Sequence, residues 1–156
     1  MGKAHFLTGV LILLISCSVS SALGKDESPN NASDDDFSIS LYLSKKSIVP
    51  GDTIWFTLSI VNHSDDTIKF LLPSPLPVVF TVYNNYNRPV WRSDFGMMFA
   101  QMITPLNIAP KDSIPLKAFW LGKDNRANWL PLGKYFVEGC FTANKMCVRD
   151  SLWLTD

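Results

Sequence analysis

Residue types that could perform hydrolytic chemistry lie together in one polar turn of this chain. His63 is followed by Ser64, Asp65 and Asp66, which are the residue types of a hydrolytic relay or of a loose calcium site. A relay needs a nucleophile, a base and an orienting acid that face one another from separate segments, which consecutive residues cannot provide. The pattern therefore predicts a solvated turn in a protein that is not an enzyme, with no metal and no cofactor.

Two cysteines near the carboxyl end offer a different chemistry. Cys140 and Cys147 flank a segment typical of a hairpin tip, in which Asn144 is the residue suited to a left-handed backbone. A four-residue loop over 142–145 would place the cysteines directly opposite each other in a non-hydrogen-bonded pair, where side chains approach most closely. We expect a disulfide between them in an oxidising compartment, and two buried free thiols are the alternative.

The third cysteine follows the layout of an export signal. A short polar start precedes an apolar run from Phe6 to Ile15, and small residues follow. The sequence Leu14-Ile15-Ser16-Cys17 resembles the lipobox of bacterial lipoproteins. This resemblance implies a signal peptide over residues 1–16, a diacylglycerol on Cys17 and a lipid anchor to a membrane of the cell envelope. The alternative is cleavage after Ala22, which would release a secreted or periplasmic soluble protein.

Composition limits the partners and the architecture. The chain has 14 basic and 14 acidic residues and a formal net charge of zero, so no basic field gathers phosphates and no nucleic-acid partner is expected. Residues 17–36 contain little to bury, which predicts a flexible tether. Ten prolines, eight glycines and many aromatic and β-branched residues favour strands and turns in the remaining segment, 37–156.

Alternating apolar and polar residues recur along that segment. Phe37 to Tyr42 and Thr53 to Val61 show the period of two that is typical of a strand with one buried face. Similar short runs follow at even spacing, and only Met97 to Met102 fits a helical turn as well as a strand. The pattern predicts an all-β domain, an immunoglobulin-like antiparallel β-sandwich of about seven to nine strands. Trp120 and Tyr135 are expected in its core, with the Tyr135 hydroxyl on a nearby carbonyl.

Several short motifs follow one another in a defined order: Trp55 to Asn62, Val78 to Tyr83, Val90-Trp91-Arg92, Met98-Phe99-Ala100-Gln101, Trp120 and Leu132 to Val137. Their order and spacing resemble the Bacillus intracellular proteinase inhibitor (BsuPI) domain family. The resemblance spans about Ser38 to Thr142 and implies a non-enzymatic protein-binding domain, a proteinase inhibitor whose protein partner is a protease. A structural or adhesive lipoprotein module without inhibitory activity is the alternative. Where the family has a Gly-Gln pair this chain has Pro75 and Leu76, so no role of that pair carries over.

Two segments have the composition of a protein-binding surface. Pro73 to Pro77 has prolines at alternate positions, which would pre-order a loop for a protease cleft, with Leu76 as the side chain offered to a specificity pocket. The alternative is that these prolines protect an edge strand from aggregation. Arg126 and Trp129 belong to a residue class that often anchors interfaces. The predicted binding residues are Pro75, Leu76, Pro77, Arg126 and Trp129.

Overall fold

The computed structural model of the protein describes residues 36–156. The predicted signal peptide over residues 1–16, the lipidated Cys17 and nearly all of the predicted tether over residues 17–36 lie outside the described residues. Within the described part of the chain, no helix has the length and apolar character needed to cross a membrane.

Ten strands make up the described chain, and they alternate with turns rather than with helices. In chain order they are β1 (Phe37–Leu43), β2 (Ser47–Ile48), β3 (Ile54–Asn62), β4 (Ile68–Leu72), β5 (Val78–Tyr83), β6 (Pro89–Arg92), β7 (Thr104–Ile108), β8 (Ser113–Trp120), β9 (Gly133–Phe141) and β10 (Cys147–Leu154).

The strands pair into two main sheets and one accessory pair. One sheet has the order β1-β3-β8, the other has the order β2-β10-β9-β5-β6, and β4 pairs with β7. All pairs are antiparallel except the two-residue pairing of β2 with β10. The predicted all-β sandwich is confirmed, with ten strands in place of the expected seven to nine.

The core lies between the sheets and follows from the alternation along β3. Ile54, Phe56, Leu58 and Ile60 are fully buried, while the residues between them face outward. Phe56 packs on Phe80 of β5 with ring centroids 5.9 Å apart, which joins the two main sheets. Burying one such side chain contributes about 1.5–3 kcal/mol. The alternation of β3 therefore decides which face of this sheet meets the core.

A buried asparagine closes the core where β3 ends. The Asn62 side-chain amide donates to the carbonyls of Asp66 (2.8 Å), Ile108 (3.0 Å) and Ala109 (3.0 Å), and its oxygen accepts from the backbone N–H and hydroxyl of Ser64. These bonds join the end of β3 to the end of β7 and to the turn before β4. Asn62 is a residue type that is common in turns, yet here its side chain is buried and both of its polar atoms have hydrogen-bond partners.

Two aromatic residues occupy the core as expected. Trp120 and Tyr135 are 2% and 5% exposed, and their ring centroids lie 5.9 Å apart. The Tyr135 hydroxyl donates to the carbonyl of Pro131 at 2.6 Å, and the Trp120 indole N–H donates to the carbonyl of Lys123 at 2.7 Å. Both predictions are confirmed, because each large ring is buried while its polar group keeps a partner.

The segment between β6 and β7 differs from expectation. Met97 to Met102, which by sequence fits a helical turn as well as a strand, forms neither. Met98 is 98% exposed and Met102 is 58% exposed, because this segment crosses from the five-stranded sheet to the β4-β7 pair without a ladder partner. The following strand, β7, was not predicted, since Pro105 lies within it.

Candidate protein-binding site

An apolar groove runs along one open side of the sandwich. Its volume is about 680 Å³, and it lies between the edge strand β8 of one sheet and the edge strand β6 of the other. We call it the aromatic groove; its main apolar lining residues are Trp55, Trp91, Phe95, Met97, Phe119 and Trp120. A concavity that exposes several aromatic side chains is typical of a binding surface.

The outward faces of β3 and β8 place two of the exposed rings that line this groove. Trp55 lies directly opposite Phe119 in the register of the two strands, and their ring centroids are 5.5 Å apart. Trp55 is 48% exposed and Phe119 is 53% exposed, although their neighbours Phe56 and Trp120 are buried. Because cross-strand partners stand on the same face, the register holds both rings side by side and leaves one side of each open.

The free edge of β8 forms the floor of the groove. Asn62 donates its backbone N–H to the carbonyl of Asp112 at 2.9 Å, which fixes the alternation of the β3-β8 ladder. In that alternation Ala118 bonds to β3, whereas the N–H and C=O groups of Lys117 and Phe119 point away from it. Among residues 36–156 no strand pairs with that side of β8. An edge of this kind is a template for an added strand.

A tight turn over residues 123–129 closes one end of the groove. The Asp124 carboxylate accepts from the backbone N–H groups of Arg126 and Asn128, both at 2.8 Å, and from the side-chain amide of Asn128 at 3.0 Å. The side-chain bond from Asn128, together with these backbone bonds, lowers the pKa of Asp124. Asn125 exchanges two hydrogen bonds with the backbone of Arg92 at 2.8 and 2.9 Å, so the turn is tied to the end of β6.

The same turn carries two of the predicted binding residues. Arg126 is exposed, and Trp129 is 53% exposed. The Lys123 ammonium lies 4.0 Å from the centroid of the Trp129 ring, and Lys123 also lines the groove. Gly51 approaches the other end of the Trp129 ring, where an added Cβ would lie 3.6 Å from its Cη2 atom. Trp129 therefore stands beside the aromatic groove rather than inside it.

The other predicted binding segment, Pro73 to Pro77, is a bent loop between β4 and β5. Pro75 is exposed, whereas Leu76 and Pro77 are partly buried. The Thr142 hydroxyl donates to the carbonyls of Leu76 (2.8 Å) and Pro77 (3.1 Å), and the Thr142 backbone N–H also donates to Pro77 (3.0 Å). These bonds hold the proline loop against the tip of the β9-β10 hairpin.

That hairpin tip contains the expected disulfide. Cys140 lies directly opposite Cys147 with their Cα atoms 4.1 Å apart, and a disulfide joins them. The backbone N–H of Phe141 donates to the carbonyl of Met146 at 2.8 Å, so the cysteines occupy the predicted non-hydrogen-bonded pair. The left-handed residue is Lys145, with φ of 59°, and not Asn144. Asn144 instead accepts the Met146 N–H with its side-chain oxygen at 3.2 Å.

The polar turn at His63 contains a contact that the sequence does not reveal. The Ser38 hydroxyl lies 2.7 Å from His63 Nε2, and both residues are exposed. Asp65 is 92% exposed at its side chain and pairs with Lys111 at 3.0 Å, as expected of a solvated turn. Ser38 approaches His63 because β1 pairs with β3, and neither residue lines the aromatic groove.

Residues of the aromatic groove were not identified from the sequence. Trp55 was assigned only to a strand, and Phe119 and Phe95 received no role. The available signal was the presence of Trp55 and Phe119 at outward positions of two alternating strands, where a polar residue is the ordinary choice. That signal becomes a site only when the register places the two rings together.

A comparison with solved structures gives matches at low sequence identity. They include the Pseudomonas fluorescens alkylpurine DNA glycosylase AlkC bound to DNA (10% identity, TM-score 0.49), a Listeria innocua β-glucosidase in complex with glucose (11%, 0.45) and a Paenibacillus cycloisomaltooligosaccharide glucanotransferase (11%, 0.49). The matches cover 78%, 77% and 74% of this chain and 31%, 16% and 13% of those chains. The chain thus spans less than a third of each of these proteins.

The family comparison covers much more of the domain. A search of curated proteins gives no match, whereas the family model described as intracellular proteinase inhibitor (BsuPI) matches residues 41–146. This range is well over half of the chain and includes the main lining residues of the aromatic groove, the turn over residues 123–129 and the proline loop. The chain therefore belongs to the intracellular proteinase inhibitor (BsuPI) family.

Proposed function

We propose that this protein is a non-enzymatic proteinase inhibitor that acts outside the cytosol. The observation that carries the proposal is the family match over residues 41–146, and the predicted export signal over residues 1–16 adds the location. A lipid on Cys17 would hold the domain at a membrane of the cell envelope, where its protein partner is a protease of that compartment. The disulfide between Cys140 and Cys147 is in keeping with an oxidising location.

The contact surface that we propose for the protease combines the aromatic groove with Arg126 and Trp129. Rigid aromatic and arginine side chains are the usual anchors of interfaces, and the hydrogen bonds of Asp124 hold this turn in one conformation. Pre-ordering of this kind reduces the entropy lost on binding. The second candidate surface is the proline loop at Pro75, Leu76 and Pro77, which the bonds from Thr142 also hold in place.

A titration against purified proteases tests the inhibitory role. The full chain, processed by its host, is mixed in increasing amounts with serine and metalloproteases of the same cell envelope. We expect a stoichiometric loss of activity of at least one protease, with the protein remaining intact on a gel. Unchanged activity of every protease, or rapid digestion of the protein, would contradict inhibition and favour the structural or adhesive alternative.

Matched double variants locate the surface. Arg126→Ala with Trp129→Ala removes two anchors of one surface, and Pro75→Ala with Leu76→Ala changes the other. We expect the first pair to weaken inhibition about a hundredfold, which corresponds to a loss of about 2.8 kcal/mol from two anchors. The second pair serves as the control and is expected to change inhibition less than threefold, roughly the noise of such assays. The reverse result would assign the surface to the proline loop.

Mass spectrometry of the processed protein tests the anchor. We expect a chain that begins at Cys17, carries diacylglycerol and lacks two hydrogens because of the Cys140–Cys147 bond. Cys17→Ser is the control, and it should abolish the lipid mass and release the protein from membranes. A product that begins after Ala22 would contradict the lipid anchor while leaving export intact.

A further inference from the structure

The edge of β8 and the aromatic groove lie side by side, and together they have the two parts of a strand-docking site. The outward N–H and C=O groups of Lys117 and Phe119 supply a ladder without a partner strand among the described residues. The groove supplies an apolar cavity next to that ladder. Main-chain bonds give affinity in this mode of recognition, and pockets for alternate side chains give specificity.

The pleat of the added strand determines which of its side chains enter the groove. Residues opposite Lys117 and Phe119 would stand on the solvent face of the sheet, beside the Lys117 ammonium. The residue opposite Ala118 would point to the other face, toward the part of the groove lined by Trp91 and Trp120. The geometry therefore requires one apolar side chain between two solvent-facing ones.

The charge of the groove indicates which residue types an added strand would need on either side of its apolar side chain. Lys117 and Lys123 line the groove, and within residues 36–156 neither forms an ion pair with a carboxylate. Among the residues that the structure describes, one carboxylate lines the groove, that of Asp124, and it already accepts N–H groups of its own turn. Acidic residues on the solvent face of an added strand would approach the Lys117 ammonium on the same face, and Lys123 adds a second positive charge to the groove.

The same features disfavour a second copy of this chain as the occupant. Pairing two β8 edges would bring two copies of Lys117 close together and would place Pro115, which has no N–H, on the shared ladder. Lysine and proline on an edge strand are known devices against self-association. An acidic partner strand paired at Lys117 and Phe119 would avoid both the repulsion between two lysines and the missing N–H of Pro115.

We propose that β8 binds an extended segment of a partner protein as an added strand, with an apolar side chain of that segment in the aromatic groove and acidic residues on both sides of it. This inference rests on the proposed function, because it specifies how the domain recognises its protein partner. It names a local sequence chemistry, acidic-apolar-acidic, that the partner must display on an extended segment.

A short synthetic peptide is a direct probe. The capped hexapeptide Thr-Glu-Leu-Glu-Val-Thr is titrated into the full chain while intrinsic tryptophan fluorescence and amide hydrogen exchange are followed. We expect a fluorescence change from the groove and slowing of exchange at the Lys117 and Phe119 amides by about tenfold at saturation. The matched peptide Thr-Lys-Leu-Lys-Val-Thr is the control and should not bind. Absence of binding, equal binding of both peptides, or protection confined to another strand would overturn the inference.

Two substitutions at position 117 distinguish the contribution of the backbone N–H to binding from that of the ammonium charge. Lys117→Pro removes both the outward N–H and the ammonium, and the fold already accepts Pro115 at the equivalent edge position two residues earlier. Lys117→Ala removes only the ammonium. We expect Lys117→Ala to weaken peptide binding about threefold and Lys117→Pro to weaken it more than about tenfold. Lys69→Ala, on the separate strand β4, is the control and should leave binding unchanged.

The outcomes distinguish this inference from the proposed function. If Lys117→Pro stays folded by circular dichroism and inhibits its protease as the original protein does, the edge is not the docking site and the inference fails alone. If the peptide binds as expected but no protease is inhibited, the inhibitory function fails and the docking site stands. A dimer in sedimentation experiments that Lys117→Pro dissociates would assign the edge to a second copy and overturn the inference.

Discussion

Two aromatic clusters that share strands β3 and β8 have opposite surroundings. Phe56 is fully buried and meets Phe80, Trp91 and Trp120 at centroid distances of 5.9, 6.1 and 6.3 Å. Its neighbour Trp55 meets Phe119 at 5.5 Å and keeps 48% of its surface exposed. One residue of shift along β3 therefore separates a ring enclosed by the core from a ring that is covered on one side only.

The difference predicts which of the two clusters stabilises the fold and which is available for binding. A ring that is enclosed gains the full transfer free energy of its surface, and its removal leaves a cavity. A ring that is half exposed has gained only part of that free energy, and a partner that covers it gains the rest. The core cluster should thus determine folding, and the aromatic groove should determine recognition.

Substituting the two neighbouring rings is the strongest test of this contrast. Phe56→Ala should lower the free energy of unfolding by about 3–5 kcal/mol, because the buried cavity cannot be filled by the sheets on either side. Trp55→Ala should lower it by about 1 kcal/mol, the scale of one exposed aromatic pair. Urea unfolding measures both values. Similar losses for the two variants would show that the groove belongs energetically to the core.

Removing the disulfide should have an intermediate effect and should sharpen the contrast. Cys140→Ser with Cys147→Ser opens the hairpin, and the small loop it closes predicts a loss of about 2 kcal/mol in unfolding free energy. Reduction of the original protein with dithiothreitol is the control and should give the same loss. Binding at the aromatic groove should be unchanged, because neither cysteine lines it. A loss of binding would mean that the hairpin and the groove are coupled.

The smallest expected effect concerns the Tyr135 hydroxyl at the border of the core. Tyr135→Phe removes the bond to Pro131 and should cost about 1 kcal/mol at neutral pH. Burial raises the pKa of Tyr135, so the folded state holds this proton more tightly than the unfolded chain does. Its contribution to stability is therefore complete below about pH 10 and is lost as the pH rises through the folded pKa.

Urea unfolding as a function of pH measures that contribution. The free energy of unfolding of the original protein should fall as the pH rises above about 10, and the fall should be shallower in Tyr135→Phe. Tyr83→Phe serves for comparison, since burial and the nearby Glu138 also raise the pKa of Tyr83. An identical pH dependence in the original protein and Tyr135→Phe would contradict the assignment.

The predictable part of the fold consists of elements whose local pattern and tertiary role agree. The alternation along β3, the pairing of Cys140 with Cys147, and the burial of Trp120 and Tyr135 each follow from a short stretch of sequence, and the structure confirms them. β7 was missed because Pro105 argues against a strand when its neighbours are unknown. As an edge strand paired only with β4, it tolerates the proline.

The candidate site was less predictable than the fold. Arg126 and Trp129 were selected by residue type, and the structure places them beside a groove that residue type alone did not indicate. Asn62 is a residue type that is common in turns, yet it is buried and its side chain forms five hydrogen bonds. In both cases part of the environment comes from segments far away in the chain, which a local pattern does not contain: Ile108 and Ala109 for Asn62, and Trp55 and Trp91 for the groove.

By itself the sequence determined that this chain forms β-strands with one buried face, since side chains alternate across a strand with a period of two. It also determined the family, because the order and spacing of the strand motifs are local properties of the chain. Only the tertiary structure decided which strand is an edge and which outward rings meet. Strand neighbours and register depend on the packing of the whole core, and these two choices create the open ladder of β8 and the aromatic groove beside it.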